Sequence, residues 1–305
     1  MNNIKIILNP NAGKAKGILP EITARLKEKN IAFEVLATNF PGEAKILAKK
    51  ASEDKTAGLL LVIGGDGTIN EAINGLIDST LPLGIIPAGS LNCAAREIGL
   101  SLNPGKAILQ LLEGAVKTIH IGKISFLDKN TDFVFRNGKE RYFLLMAGIG
   151  FDAKAIFDFN PKLKKIIGPL AYAWSGLKQI FSANHPAIKI EMSNKIVTGY
   201  SCIINKFKTY AWFNFAPDAG IEKNFFQIFV YTKNDIISLF RYNVGGMFGW
   251  HRNFSDVESH LVKNIKITSD DTAFIQADGE AVGKLPVEIS IVPNALKIMM
   301  PNSKS

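Results

Sequence analysis

The stretch Gly58-Leu-Leu-Leu-Val-Ile-Gly-Gly-Asp-Gly-Thr-Ile-Asn-Glu71 carries the reading of the fold. Gly58–Ile63 is a continuous strand with no polar face, as a strand covered on both sides of a sheet requires. It stops at Gly64-Gly65, and apolar residues then recur at helical spacing from about Ile69 to Ile77. Strand, glycine loop and helix in that order form the repeating unit of a mostly parallel α/β sheet.

The alternation continues on both sides. Lys5–Leu8 is a short apolar strand ending at Asn9-Pro10, Ile18–Lys29 has helical spacing, Phe33–Ala37 is a second strand and Gly42–Ser52 a helix. A strand at Leu83–Pro87 and a helix around Asn92–Ile98 follow. After about Ile119 the pattern changes. His120–Leu127, Asp132–Arg136 and Tyr142–Ala147 are predicted antiparallel strands, with a hairpin turn at Arg136-Asn137-Gly138-Lys139. A helical stretch of about Pro161–Phe181 interrupts them. Strands return at Ala187–Met192, Lys195–Asn205, Phe225–Thr232, Asn264–Ser269, Ala273–Gln276, Val287–Ile291 and Ala295–Met300. The expectation is an α/β domain over residues 1–120 followed by a β-rich domain over 121–289.

The 305 residues suffice for one large core or two ordinary ones. Two cysteines, Cys93 and Cys202, make no disulfide framework, and no Cys-x-x-Cys or His-Glu-x-x-His spacing offers a metal site. A reducing cytoplasm fits. The amino terminus is too short and polar for a signal peptide, and no apolar run reaches the ~20 residues a spanning helix needs. A net charge of +9 favours an anionic partner, such as nucleic acid, lipid headgroups or a phosphorylated ligand. No nucleic-acid-reading element accompanies it. Lys162, Lys164 and Lys165, with Trp174 nearby, suit an anionic membrane surface as well as they suit a solvated helix face. A second copy of the chain, in a homo-oligomer, is a further candidate partner.

Three glycine-bearing loops sit at predicted carboxyl ends of strands: Asn9-Pro-Asn-Ala-Gly13, Gly64-Gly-Asp-Gly-Thr68 and Pro87-Ala-Gly-Ser90. Ligands of open α/β sheets bind outside those ends, and glycine lets backbone N–H groups approach phosphate closely. None of the loops is a Walker A or Gly-x-Gly-x-x-Gly motif. Asp66 lies inside the second loop. It would repel phosphate unless a cation such as Mg²⁺ intervened, the alternative being a cap on the following helix.

In this order and spacing, Asn9-Pro…Gly13, Gly64-Gly-Asp-Gly-Thr-Ile-Asn-Glu71 and Pro87-Ala-Gly-Ser-Leu-Asn92…Ala95-Arg96 resemble the diacylglycerol kinase catalytic family, which includes sphingosine and ceramide kinases. Gly150-Phe-Asp-Ala153, Ala216-Pro-Asp-Ala219 and Asp278-Gly-Glu280 extend the resemblance over nearly the whole chain. It implies an NAD kinase-like α/β nucleotide domain, a second β-sandwich domain, ATP in the cleft between them, and a first domain completed by residues 290–305. It also implies nucleotide contacts at Asn9, Gly13, Thr38, Gly64, Gly65, Asp66, Gly67, Thr68, Asn70 and Ser90, with Asp66 near Mg²⁺. Glu280 would be the general base for phosphoryl transfer to a lipid alcohol, and Asp278 its supporter or an outer-sphere Mg²⁺ contact. From the residues alone, Asp278-Gly279 reads more simply as a solvated turn.

The resemblance is incomplete at two places. Many relatives carry an acid where this chain has Cys93. Bacterial diacylglycerol kinases also follow Ala-Pro-Asp-Ala with acids that bind a structural Mg²⁺, whereas here Glu222-Lys-Asn224 and Gln227 stand there. Two other readings compete with an ATP- and Mg²⁺-dependent lipid kinase bound peripherally to membranes from the cytoplasm. One is an NAD kinase-like enzyme with a soluble substrate. The other is a lapsed kinase that only binds lipid or nucleotide.

Overall fold

The computed structural model describes residues 3–128, 139–157, 185–210 and 213–302. The strand Asp132–Arg136, most of the turn after it, and the helical stretch Pro161–Phe181 with Lys162, Lys164, Lys165 and Trp174 lie outside the described residues. The chain forms two compact units, Met1–Ile121 with Val292–Ser305, and Gly122–Ile291.

In the first unit the elements are β1 (Asn3–Leu8), α1 (Ala15–Glu28), β2 (Ala32–Ala37), α2 (Glu43–Glu53), β3 (Leu59–Gly64), α3 (Asp66–Leu76), β4 (Leu83–Pro87), α4 (Cys93–Glu97) and α5 (Pro104–Leu112). The strand β5 (Ala115–Phe126) leads out of this unit. The sheet runs β2-β1-β3-β4, all parallel. Every residue of β3 is buried, which is why its sequence is continuously apolar. The chain leaves β1 toward β2 on one side and β3 toward β4 on the other. The loops after β1 and β3 therefore flank a topological switch point, where such sheets bind ligands. Sequence inspection passed over α5, although Asn103 caps it by accepting the Lys106 N–H at 3.0 Å and Pro104 occupies its first turn.

The second unit contains β6 (Glu140–Phe143), β7 (Met146–Gly150), α6 (Phe151–Phe157), β8 (Ile188–Met192), β9 (Lys195–Gly199), β10 (Ser201–Asn205), β11 (Thr209–Tyr210), β12 (Phe213–Asn214), β13 (Phe226–Tyr231) and α7 (Ile236–Phe248). After a 3₁₀ turn at Trp250–Asn253 come β14 (Val257–Val262), β15 (Asn264–Thr268), β16 (Phe274–Ala277), β17 (Glu280–Lys284) and β18 (Val287–Met300). An antiparallel sheet β14-β13-β10-β7-β16-β17 supplies Ile149, Ile204, Phe226, Ile228 and Ile275 to a core. The strands β9-β8-β15-β18 supply Ile190, Ile265, Ile267 and Ile289 to the same core, so this unit is a β-sandwich. The end of β18 returns to the first unit, where Ile298 pairs with Leu83 of β4.

The single strand read over Lys195–Asn205 is two, β9 paired with β8 and β10 paired with β7 and β13. Tyr142–Ala147 likewise divides between β6 and β7. Among the described residues, no helix is long and apolar enough to cross a membrane.

Candidate active site

The three glycine loops of the first unit are pressed together at the carboxyl ends of β1, β3 and β4. The Ala88 N–H donates to the Gly64 carbonyl at 3.0 Å, and the Lys14 N–H to the Ala88 carbonyl at 3.4 Å. Asn9 joins two of them: its Nδ2 donates to Thr68 Oγ1 at 2.9 Å and its Oδ1 accepts the Asn11 N–H at 3.0 Å. A Cβ at Gly13 would lie 2.2 Å from the Ala88 carbonyl oxygen, and one at Gly89 2.7 Å from the Gly65 Cα. Backbone meets backbone here, so no side chain can be accommodated without moving a loop. Asn92, at φ +50°, locks the third loop by accepting the Gly89 N–H at 2.8 Å and donating to the Gly89 carbonyl at 2.9 Å.

Asp66 opens α3 but does not cap it. Its two carboxylate oxygens accept the N–H groups of Cys93 and Ala94, both at 3.1 Å. It therefore caps α4, which begins 27 residues downstream, and not the following helix that the alternative reading named. Burial pushes the Asp66 carboxyl upward, and the backbone N–H bonds oppose that shift. Thr38 is buried at the end of β2, its N–H bonded to the Leu8 carbonyl at 2.8 Å, beside the loop that begins at Asn9. Ser90 is exposed and Gly67 half-buried on the same loops. Asn70 is buried within α3, where its Oδ1 accepts from Asn74 at 3.3 Å. Among the described residues, no group of three acidic, histidine or cysteine side chains could hold a metal by itself.

In the second unit, Asp278 and Gly279 form the two-residue connection between β16 and β17, with φ of +50° and +82°. Asp-Gly suits such a mirror-image turn because both residues tolerate positive φ. The Asp278 carboxylate is far from a solvated ornament. It accepts the N–H groups of Leu144 and Leu145 at 2.8 Å and of Met146 at 3.0 Å, fastening the turn to the start of β7. The Gly279 N–H donates to Gln276 Oε1 at 2.9 Å. Glu280 follows, its Oε2 accepting from Arg141 at 2.7 Å. The Arg141 side chain is 8% exposed and that of Glu280 44%, so a buried cation orients a carboxylate that still reaches solvent. Arg141 was missed by sequence reasoning, since it lies 139 residues from its partner on an unremarkable strand.

The family-implied structural Mg²⁺ site does not fit this chain. Asp218 Oδ2 accepts from Gln227 Nε2 at 3.0 Å, and the carbonyls of Gly220, Ile221 and Lys223 accept from the ammonium of Lys206.

With an NAD kinase-like nucleotide fold, a β-sandwich and these motifs in place, the chain belongs to the diacylglycerol kinase catalytic family. Residues 3–124 match the diacylglycerol kinase catalytic domain and residues 146–300 the YegS C-terminal NAD kinase beta sandwich-like domain. The diacylglycerol kinase of Bacillus subtilis is 28% identical, over 100% of this chain and 98% of its own. That of Staphylococcus carnosus is 26% identical, over 97% and 94%. The crystal structure of a diacylglycerol kinase from Bacillus anthracis superposes with a TM-score of 0.77 at 22% identity, covering 99% of this chain and 98% of the other.

Proposed function

We propose that this kinase-family chain transfers the γ-phosphate of ATP to the hydroxyl of a membrane lipid such as diacylglycerol, with Glu280 as general base. The observation that carries the reading is the Asp278–Gly279 turn. Three backbone N–H bonds and the Arg141 ion pair hold Glu280 at a solvent-accessible edge. Glu280 takes the hydroxyl proton as that oxygen becomes nucleophilic, and Arg141 fixes its carboxylate rotamer. Asp278 acts at one remove, through the rigidity of the turn.

The nucleotide phosphates suit the loops at Asn9, Gly13, Gly64, Gly65, Gly67, Thr68 and Ser90, with Thr38 alongside. Side chains are excluded by close backbone contact there, and the amino end of α3 offers positive potential. Mg²⁺ commonly binds through one or two carboxylates completed by substrate phosphates, and Asp66 is the carboxylate available in these loops. When bound, it would neutralise charge on the transferred phosphoryl group.

Peripheral docking to an anionic membrane is supported by α7. Its inner face buries Leu239, Tyr242 and Gly245, while Ile236, Ile237, Phe240, Met247 and Phe248 follow one another along its outer face. Ile237 is 80% exposed and Trp250, just beyond, 56%. Apolar and aromatic residues on a chain of net charge +9 suit a bilayer interface. The function is tested by incubating the protein with γ-labelled ATP and a panel of lipid alcohols in mixed micelles, with NAD as a soluble control. Label in a lipid supports the proposal; label in NAD alone, or in nothing, rejects it.

A further inference from the structure

We infer that the ammonium of Lys206 takes the place of a bound divalent cation in the loop 216–224, so that the sandwich unit needs no structural metal. Among the described residues, Lys206 is the one lysine with no solvent exposure. Its Nζ donates to the carbonyl oxygens of Gly220 at 2.5 Å, Ile221 at 3.2 Å and Lys223 at 2.8 Å. A loop that turns three carbonyls onto one point builds a concentrated negative potential, and such oxygen clusters are what hard cations bind. An ammonium carries three donors, which match three acceptors. Burying a charge is unfavourable without such partners, so the position is meaningful only together with the loop's conformation.

The remaining bonds fit the same reading. The Gly220 N–H donates to the Lys206 carbonyl at 3.1 Å, and the Lys223 N–H to the Gly220 carbonyl at 2.9 Å, so the loop wraps both ends of this lysine. The one acid in the Ala216-Pro-Asp-Ala219 segment, Asp218, is engaged by an amide. Its N–H donates to Gln227 Oε1 at 2.9 Å, and Gln227 Nε2 donates back to its carboxylate at 3.0 Å and to Ser259 Oγ at 3.3 Å. Glutamine supplies a donor where a metal-binding acid would supply a second negative charge. A divalent ion placed among these carbonyls would meet the Lys206 charge at contact distance, so the two cations exclude each other. It follows that a Mg²⁺ requirement of this protein would not arise from this loop.

Unfolding of the whole chain without nucleotide or lipid tests this independently of the activity proposed above. The wild-type midpoint should be unchanged between excess EDTA and millimolar Mg²⁺ or Ca²⁺, and metal analysis after dialysis should find far less than one divalent ion per chain. Lys206→Met keeps the aliphatic stem but strands the carbonyls, and should lower the midpoint by roughly 5–15 °C. Lys206→Ala, which vacates the space, should regain part of its loss on adding Mg²⁺ or methylammonium. The inference is overturned if EDTA lowers the wild-type midpoint, if a stoichiometric divalent ion copurifies, or if Lys206→Met is as stable as wild type. A Lys206→Met chain that does not fold leaves the wild-type metal comparison to decide.

Discussion

Asp278→Asn separates two roles that sequence motifs run together. The carboxylate receives three N–H groups at 2.8, 2.8 and 3.0 Å, with Oδ1 serving Leu145 and Met146 and Oδ2 serving Leu144. Asparagine tolerates φ +50° and can keep the Oδ1 bonds, so the turn itself remains allowed. Its Nδ2, however, would face the Leu144 N–H donor to donor, and the surviving bonds would lose their charge assistance. One stranded donor and two weakened bonds cost on the order of 2–3 kcal/mol. For a unit of this size that is a fall in midpoint of roughly 4–12 °C. Turnover should fall as well, because Glu280 rides on the loosened turn. Calorimetry and steady-state kinetics on the same preparations are the assay. Full wild-type stability with turnover lost would refute the reasoning, since Asp278 would then be acting in the chemistry rather than on the turn.

Other substitutions probe the remaining parts. Asp66→Asn should raise the Mg²⁺ concentration for half-maximal rate; an unchanged Mg²⁺ titration with lowered stability would assign Asp66 wholly to holding α4. His251 is enclosed between Phe215 and Phe229, and burial holds it down at about 4. It is neutral in the fold, while the unfolded chain takes up its proton below about 6.5. Stability should therefore fall as pH drops from about 6.5 to 4, by roughly 3 kcal/mol in all, and a His251→Phe chain should show a flatter midpoint–pH profile. Changing Phe240, Phe248 and Trp250 together to Ser should reduce co-sedimentation with anionic vesicles while leaving rates on detergent-dispersed substrate near wild type. Equal sedimentation would remove α7 from the docking surface.

The parallel half of the fold was legible because the central strands β3 and β4 are unbroken apolar runs and glycine follows each of them. Gly58–Ile63 reappears as β3 shifted by one residue, and Leu83–Pro87 reappears as β4 with the same bounds. The sandwich was harder. Tyr200 is a single residue between β9 and β10, and the mark of the point where the chain changes sheets is slight: Gly199, where a Cβ would lie 2.7 Å from Val230 Cγ1. The helix α7 escaped because its outward face is apolar too, which erases the amphipathic period. In the candidate site, the glycines were visible because close backbone approach leaves a compositional mark. Partnerships across long separations leave none: Asp66 with Cys93 and Ala94, Arg141 with Glu280, and Lys206 with its carbonyls are products of tertiary structure.

The most direct test compares wild type with Glu280→Gln, measuring transfer of the γ-phosphate to diacylglycerol in anionic vesicles and, separately, nucleotide affinity. The wild type should label the lipid. The variant should transfer ~10²–10⁴-fold more slowly at nearly unchanged nucleotide affinity, as loss of a positioned general base requires. Wild-type transfer by the Glu280→Gln chain would contradict the assignment.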